Sequence, residues 1–125
     1  MTKESLKAVS DSMEALGLNY ALMRWEGGPV DPYFVGEYQE IPMTTEDGLQ
    51  ETDFTLTGYT RGSWLDLETA KEQIMKYFHP IWGKRVITEN TGVAILYANS
   101  FAVPTVEAEL KKIEINLIIK EWKVI

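Results

Sequence analysis

The sequence has no cysteine, which excludes a disulfide scaffold, thiolate catalysis and Cys-ligated zinc or iron–sulfur sites together. That absence fits a reducing compartment. Histidine occurs once, as His79, with no second His to share a metal and no Ser in a G-x-S-x-G turn to serve. Placed before Pro80 at an expected helix end, His79 reads as a helix C-terminal residue held by backbone or solvent rather than as a general base. No stretch approaches the ~18 apolar residues of a membrane span, and Met1 to Ala8 lacks the apolar run of a signal peptide. A phosphate-binding loop is missing too, because Gly58-Tyr59-Thr60-Arg61-Gly62 has the wrong lysine and second-glycine spacing. Arg61-Gly62-Ser63 leads into a helix whose N-terminus suits an anion, but it reads first as a strand-to-helix turn.

The other shortage is of positive charge. The chain carries 12 Lys and Arg against 19 Asp and Glu, a net charge of -7, which argues against a nonspecific nucleic-acid binder that works by neutralising phosphates. The deficit is local: between Arg24 and Arg61 there is no Lys or Arg, while Glu26, Asp31, Glu37, Glu40, Glu46, Asp47, Glu51 and Asp53 are all acidic. Such a field repels polyanions and attracts basic partners over ~8 Å at physiological salt; a solubilising outer face is the equal alternative. Glu46, Asp47, Glu51 and Asp53 are also the best candidates for a metal or small-molecule site, although their spacing fails the EF-hand pattern and they flank an expected turn where solvated charge is common.

What is present is an ordinary globular composition, 45% hydrophobic and 25% charged over 125 residues, which predicts one domain, 1–125. Leu6, Val9, Met13 and Leu16 give residues 3–17 a helical stripe, with Gly17 as its C-cap. Strands are expected over Leu18–Trp25, Tyr33–Ile41 and Glu51–Thr60, the last two joined by a turn at Asp47-Gly48. A second helix runs to Phe78 with Leu67, Ala70, Ile74 and Tyr77 in its stripe and Ser63 or Asp66 as N-cap. Gly92–Ala98 and Leu110–Trp122 close the chain, the latter with Ile113, Ile115, Leu117 and Ile119 on one face. Asn99–Glu109 is either a bent strand extension or a projecting loop. The fold class is α+β: a two-layer sandwich in the order α-β-β-β-α-β-β, both helices on one face of a mostly antiparallel sheet.

Four tryptophans, Trp25, Trp64, Trp82 and Trp122, lie near element ends, and Trp is enriched at interface hot spots. Core packing is the default for each. Phe101, Val103 and Val106 are the stronger interface candidates, because their segment holds a proline and no clear partner strand; Trp122 joins them as an interface candidate among the tryptophans.

An N-terminal helix, Tyr33-Phe34-Val35-Gly36-Glu37-Tyr38 after a proline, an acidic turn, Phe54-Thr55-Leu56-Thr57-Gly58-Tyr59-Thr60-Arg61, a helix from Asp66 to Phe78 and two closing strands follow one another. This succession resembles the small tail-completion or tail-terminator proteins of long-tailed phages and prophages. The resemblance covers most of the chain, and the chain departs from it in the length of its acidic middle. It implies a non-enzymatic virion component, without cofactor, assembled in the host cytoplasm. Copies would form a ring, typically six-fold, at the head-proximal end of the tail, in contact with other tail or head-connector proteins. An acidic face of Glu37, Glu40, Glu46, Asp47, Glu51 and Asp53 would suit a channel that DNA must pass without sticking. Two other expectations stand beside it: a small α+β domain that binds a small molecule or metal through Glu46, Asp47, Glu51 and Asp53, and an adaptor for a basic protein.

Overall fold

A computed structural model describes residues 1–28, 30–44, 49–89 and 91–123, in the order α1 (Lys3–Ala15), β1 (Asn19–Leu22), β2 (Tyr33–Thr44), β3 (Leu49–Thr60), α2 (Trp64–Tyr77), β4 (Lys84–Ile87), β5 (Thr91–Val103) and β6 (Lys111–Lys123). The α+β class and the element order match the sequence expectation, with one addition: the short strand β4. The expected turn at Asp47-Gly48 lies outside the described residues.

The helix ends follow local chemistry. Thr2 Oγ1 accepts from the Ser5 amide to cap α1, and Gly17, at φ +71°, reverses the chain while its amide and that of Leu18 close on Glu14 and Met13 carbonyls. Only glycine adopts that left-handed turn without steric cost. At α2 both candidate caps are used. Ser63 Oγ accepts from the Leu65 amide, and Asp66, one turn in, accepts from the Ser63 amide in return, which satisfies two otherwise orphaned donors.

The six strands form one sheet in the order β1-β2-β3-β6-β5-β4, antiparallel throughout except for the β1–β2 pair. The chain is thus two successive α-β-β-β units whose last strands, β3 and β6, pair at the centre, from Leu49 opposite Trp122 to Thr60 opposite Lys111. Parallel pairing makes β1 shorter than expected: the chain leaves the sheet at Met23 and must travel back to start β2, so Trp25 lies in that connection and not in a strand.

Strand alternation sends Phe54 and Leu56 of β3, Ile113, Ile115, Leu117 and Ile119 of β6, and Val93 and Ile95 of β5 to the same side, where α1 and α2 cover them. Leu67, Ala70 and Ile74 are buried as their spacing requires. The buried face of α1 is turned from the expected stripe. Ser5, Ala8, Val9, Ser12 and Met13 are inside while Leu6 and Leu16 are half-buried, and both serines have local partners, Ser12 Oγ donating to the Ala8 carbonyl at 2.6 Å and Ser5 Oγ accepting from the capping Thr2 hydroxyl at 3.1 Å.

Asn99–Glu109 resolves into both of its alternatives. Residues up to Val103 pair with β6, and 104–110 form the turn of the β5–β6 hairpin. A register shift between Tyr97 and Asn99 reverses the alternation of β5, as an extra residue in one strand does. Beyond it, Asn99, Phe101 and Val103 pair with the outward residues of β6.

Two glycines on the helix side carry phenylalanine rings. A Cβ on Gly58 would lie 2.5 Å from Phe34 Cε1 and 2.9 Å from Ile113 Cγ2, and one on Gly36 would lie 2.6 Å from Phe54 Cζ. Gly58→Ala is therefore expected to lower unfolding free energy by about 1–3 kcal/mol, measured by urea titration. Burial also pushes the Tyr20 phenol up to about 12 from 10.0. The unfolded chain then loses this proton first, the folded state binds more protons above pH 10, and stability falls as pH rises from 10 towards 12. Tyr20→Phe should flatten that decline in urea midpoints collected across the alkaline range.

Candidate functional site

With both helices on one side, no helix or strand among the described residues covers the other face of the sheet, and three zones divide it. At one end the rings of Trp25, Tyr33 and Tyr59 stack in series at 5.2 and 5.1 Å, with Lys112 Nζ 5.6 Å above Tyr59. Desolvation, with Tyr59 and Asp31 nearby, pushes the Tyr33 phenol upward.

The centre is polar. Thr55 Oγ1 donates to Asn116 Oδ1 at 2.9 Å, and Asn116 Nδ2 donates to Asn99 Oδ1 at 2.8 Å, a ladder across β3, β6 and β5. It forms part of the wall of a shallow concavity of about 580 Å³ that Glu37, Gln39 and Asp53 complete. These groups offer hydrogen bonds and negative charge. Among the described residues, no three His, Asp or Glu side chains are grouped as metal ligands.

The far end is apolar. His79 Nδ1 accepts from the amides of Ile81 and Trp82, and Gly83, at φ +64°, returns its amide to the His79 carbonyl. This tight turn, which is what His79 does in the fold, projects Trp82 over the sheet edge. Edge strand β4 adds Ile87, and β5 and β6 add Leu96 and Trp122, around a groove of about 380 Å³ rimmed by Arg85 and Lys120. Ile87 is 86% exposed and Trp82 63%. Large apolar side chains clustered on an open face mark a contact surface.

The acidic residues of β2 and β3 do not share one face. Glu37, Glu51 and Asp53 alternate to the helix-free side. Glu40 lies on the helix side and pairs with the amino terminus. Glu46 and Asp47 lie outside the described residues. Glu51 faces Lys120 at 3.8 Å, so β6 supplies a counter-charge from outside the acidic segment.

The four interface candidates are divided between two ends. Phe101 and Val103 sit on the helix-free side of the distal hairpin, with Val106 fully exposed at its tip, whereas Trp122 is at the opposite end beside the Trp82 groove. Sequence reasoning did not single out Ile81, Arg85 and Ile87. The available signal was Ile81, Trp82, Val86 and Ile87 crowded behind the His79-Pro80 stop, in a segment too short to bury them all.

No family model matches the chain, and no curated protein matches its sequence. Among solved structures, the chain is similar to one from a structure described as the virion of a native gene transfer agent (GTA) particle, with a TM-score of 0.63 and 12% identity over 97% of this chain and 90% of that one. At that identity the likeness is one of fold.

Because Trp82 and Ile87 are exposed, replacing both with serine should reduce binding of a fluorescent apolar dye to the native protein while shifting stability by about 0.5 kcal/mol or less per site. Unchanged dye fluorescence would mean that the groove is not an accessible apolar surface.

Proposed function

We propose that this chain, folded as a single domain, is a non-enzymatic structural component of a phage-like particle. Copies act in the tail as a ring, of the six-fold type, that closes the head-proximal end of the tube or joins it to the head. The observation that carries this reading is the fold likeness to a chain of a gene transfer agent virion, which spans nearly the whole of both chains. The helix-free face adds support: an assembly subunit needs surface committed to neighbours, and this face leaves Trp82, Ile87 and Phe101 uncovered within the chain. Glu37 and Asp53, at its polar centre, suit the wall of a DNA channel, since carboxylates repel phosphate and let the polymer pass.

The test is removal of the gene from cells that produce the particle, followed by electron microscopy. Filled heads without joined tails, or tails of uncontrolled length, are expected. Normal particles that lack the protein by mass spectrometry would overturn the reading. A reconstruction of the intact particle with Glu37 and Asp53 on an outer rim would remove the channel role alone.

A further inference from the structure

The two exposed apolar features at opposite ends of the β5–β6 ribbon are complementary. One is the groove beneath Trp82, Ile87 and Trp122, whose rim is cationic. Arg85 donates from Nε to the Trp82 carbonyl at 3.2 Å and has no ion-pair partner among the described residues. The other is the hairpin tip, Pro104 to Leu110, where a fully exposed Val106 stands next to Glu107 and close to Glu109.

The tip is built to hold its shape. Thr105 Oγ1 lies 2.8 and 2.6 Å from the carbonyls of Glu107 and Leu110, which share its one proton, and Glu107 is braced by Arg61 at 2.6 Å. Glu109 has no ion-pair partner among the described residues. An apolar knob flanked by carboxylate thus matches an aromatic groove flanked by the Arg85 guanidinium, with the Lys120 ammonium, which also faces Glu51, on the same rim. Preorganisation of the knob lowers the ordering cost of the contact, and tryptophan is a favoured anchor for such a groove.

These surfaces cannot meet within one molecule. Val103 pairs with Lys112 and Gly92 with Trp122, so at about 3.4 Å per strand residue the tip and the groove are roughly 35 Å apart. We infer that the Val106 tip of one copy seats in the Trp82–Ile87–Trp122 groove of the next, with Glu109 against Arg85. The contact is heterologous, because different surfaces of the two copies meet, and it generates either a closed ring or an open chain of subunits. It deepens the ring reading above by naming the surfaces through which copies join, and it rests on that reading.

The absence of cysteine makes the test clean. Full-length protein carrying both Val106→Cys and Ile87→Cys, concentrated and mildly oxidised, should give a ladder of disulfide-linked multimers, because these positions are too far apart to bond within one chain. Either single variant should stop at dimers. Val106→Cys with Thr69→Cys, which puts the second thiol on the exposed side of α2, is the control. In sedimentation, Arg85→Glu should weaken self-association at least tenfold, and addition of Glu109→Lys should restore it. No ladder above the control, or a monomer at every concentration, overturns the contact. A ladder with normal particles after gene removal would keep the contact and reject the tail role; a particle defect without a ladder would do the reverse.

Discussion

The antiparallel seam between β3 and β6 carries both layers of the molecule. Its inner side sets Ile113, Ile115, Leu117 and Ile119 beside Phe54, Leu56 and Gly58, and the helices are laid across that strip. The β-branched isoleucines suit a pleated surface with one dry face. Each strand of the seam ends one α-β-β-β unit, so neither unit has a complete sheet without the other. The seam also joins residues about 70 positions apart at its open end, Leu49 and Trp122, and its formation must bear the loop-closure entropy of the intervening chain.

Because the seam places both helices on one side, the surface chemistry of the other side is free to vary along the strands. An antiparallel sheet with one covered face normally presents polar residues on the other. Here the Thr55–Asn116–Asn99 ladder follows that rule at the centre, while the two ends depart from it with aromatic and aliphatic side chains. The departure at the β4 end is positioned by backbone geometry more than by packing: His79 and Gly83 close the turn that lifts Trp82 out.

Features determined by near neighbours in the sequence were legible there. Gly17, the Ser63 and Asp66 caps, the stripe of α2 and the alternation of β6 each depend on residues within a turn or two. Features set by distant pairing were not. β4 is only Lys84–Ile87, and it becomes a strand because β5 offers an edge. The partner strand of Phe101 and Val103 was hidden because one register shift changes their parity. The segment with no basic residue looked uniformly acidic, yet alternation sends Glu40 to the helix side and the sheet order sets Lys120 beside Glu51. The apolar groove assembles residues from the 79–83 turn, β4, β5 and β6; the crowding of Ile81, Trp82, Val86 and Ile87 hints at it locally, but the share of Leu96 and Trp122 depends on distant pairing.

The register shift at Tyr97 and Asn99 also sets a rule for how this hairpin can vary among related chains. Core residues of β5 lie before the shift, but its distal part pairs with the buried Ile113 and Ile115 of β6, so the arm can lengthen beyond Val103 and Lys112, though not shorten, without altering what α1 and α2 rest upon. Its length is quantised. Adding two residues to each strand moves the tip by about 7 Å and keeps its facing, whereas adding one to each strand turns residues 104–110 to the other face, while Phe101 and Val103 keep their pairing with Glu114 and Lys112 in either case. Hairpin lengths in relatives that keep this face should therefore differ from this chain by even numbers of residues per strand.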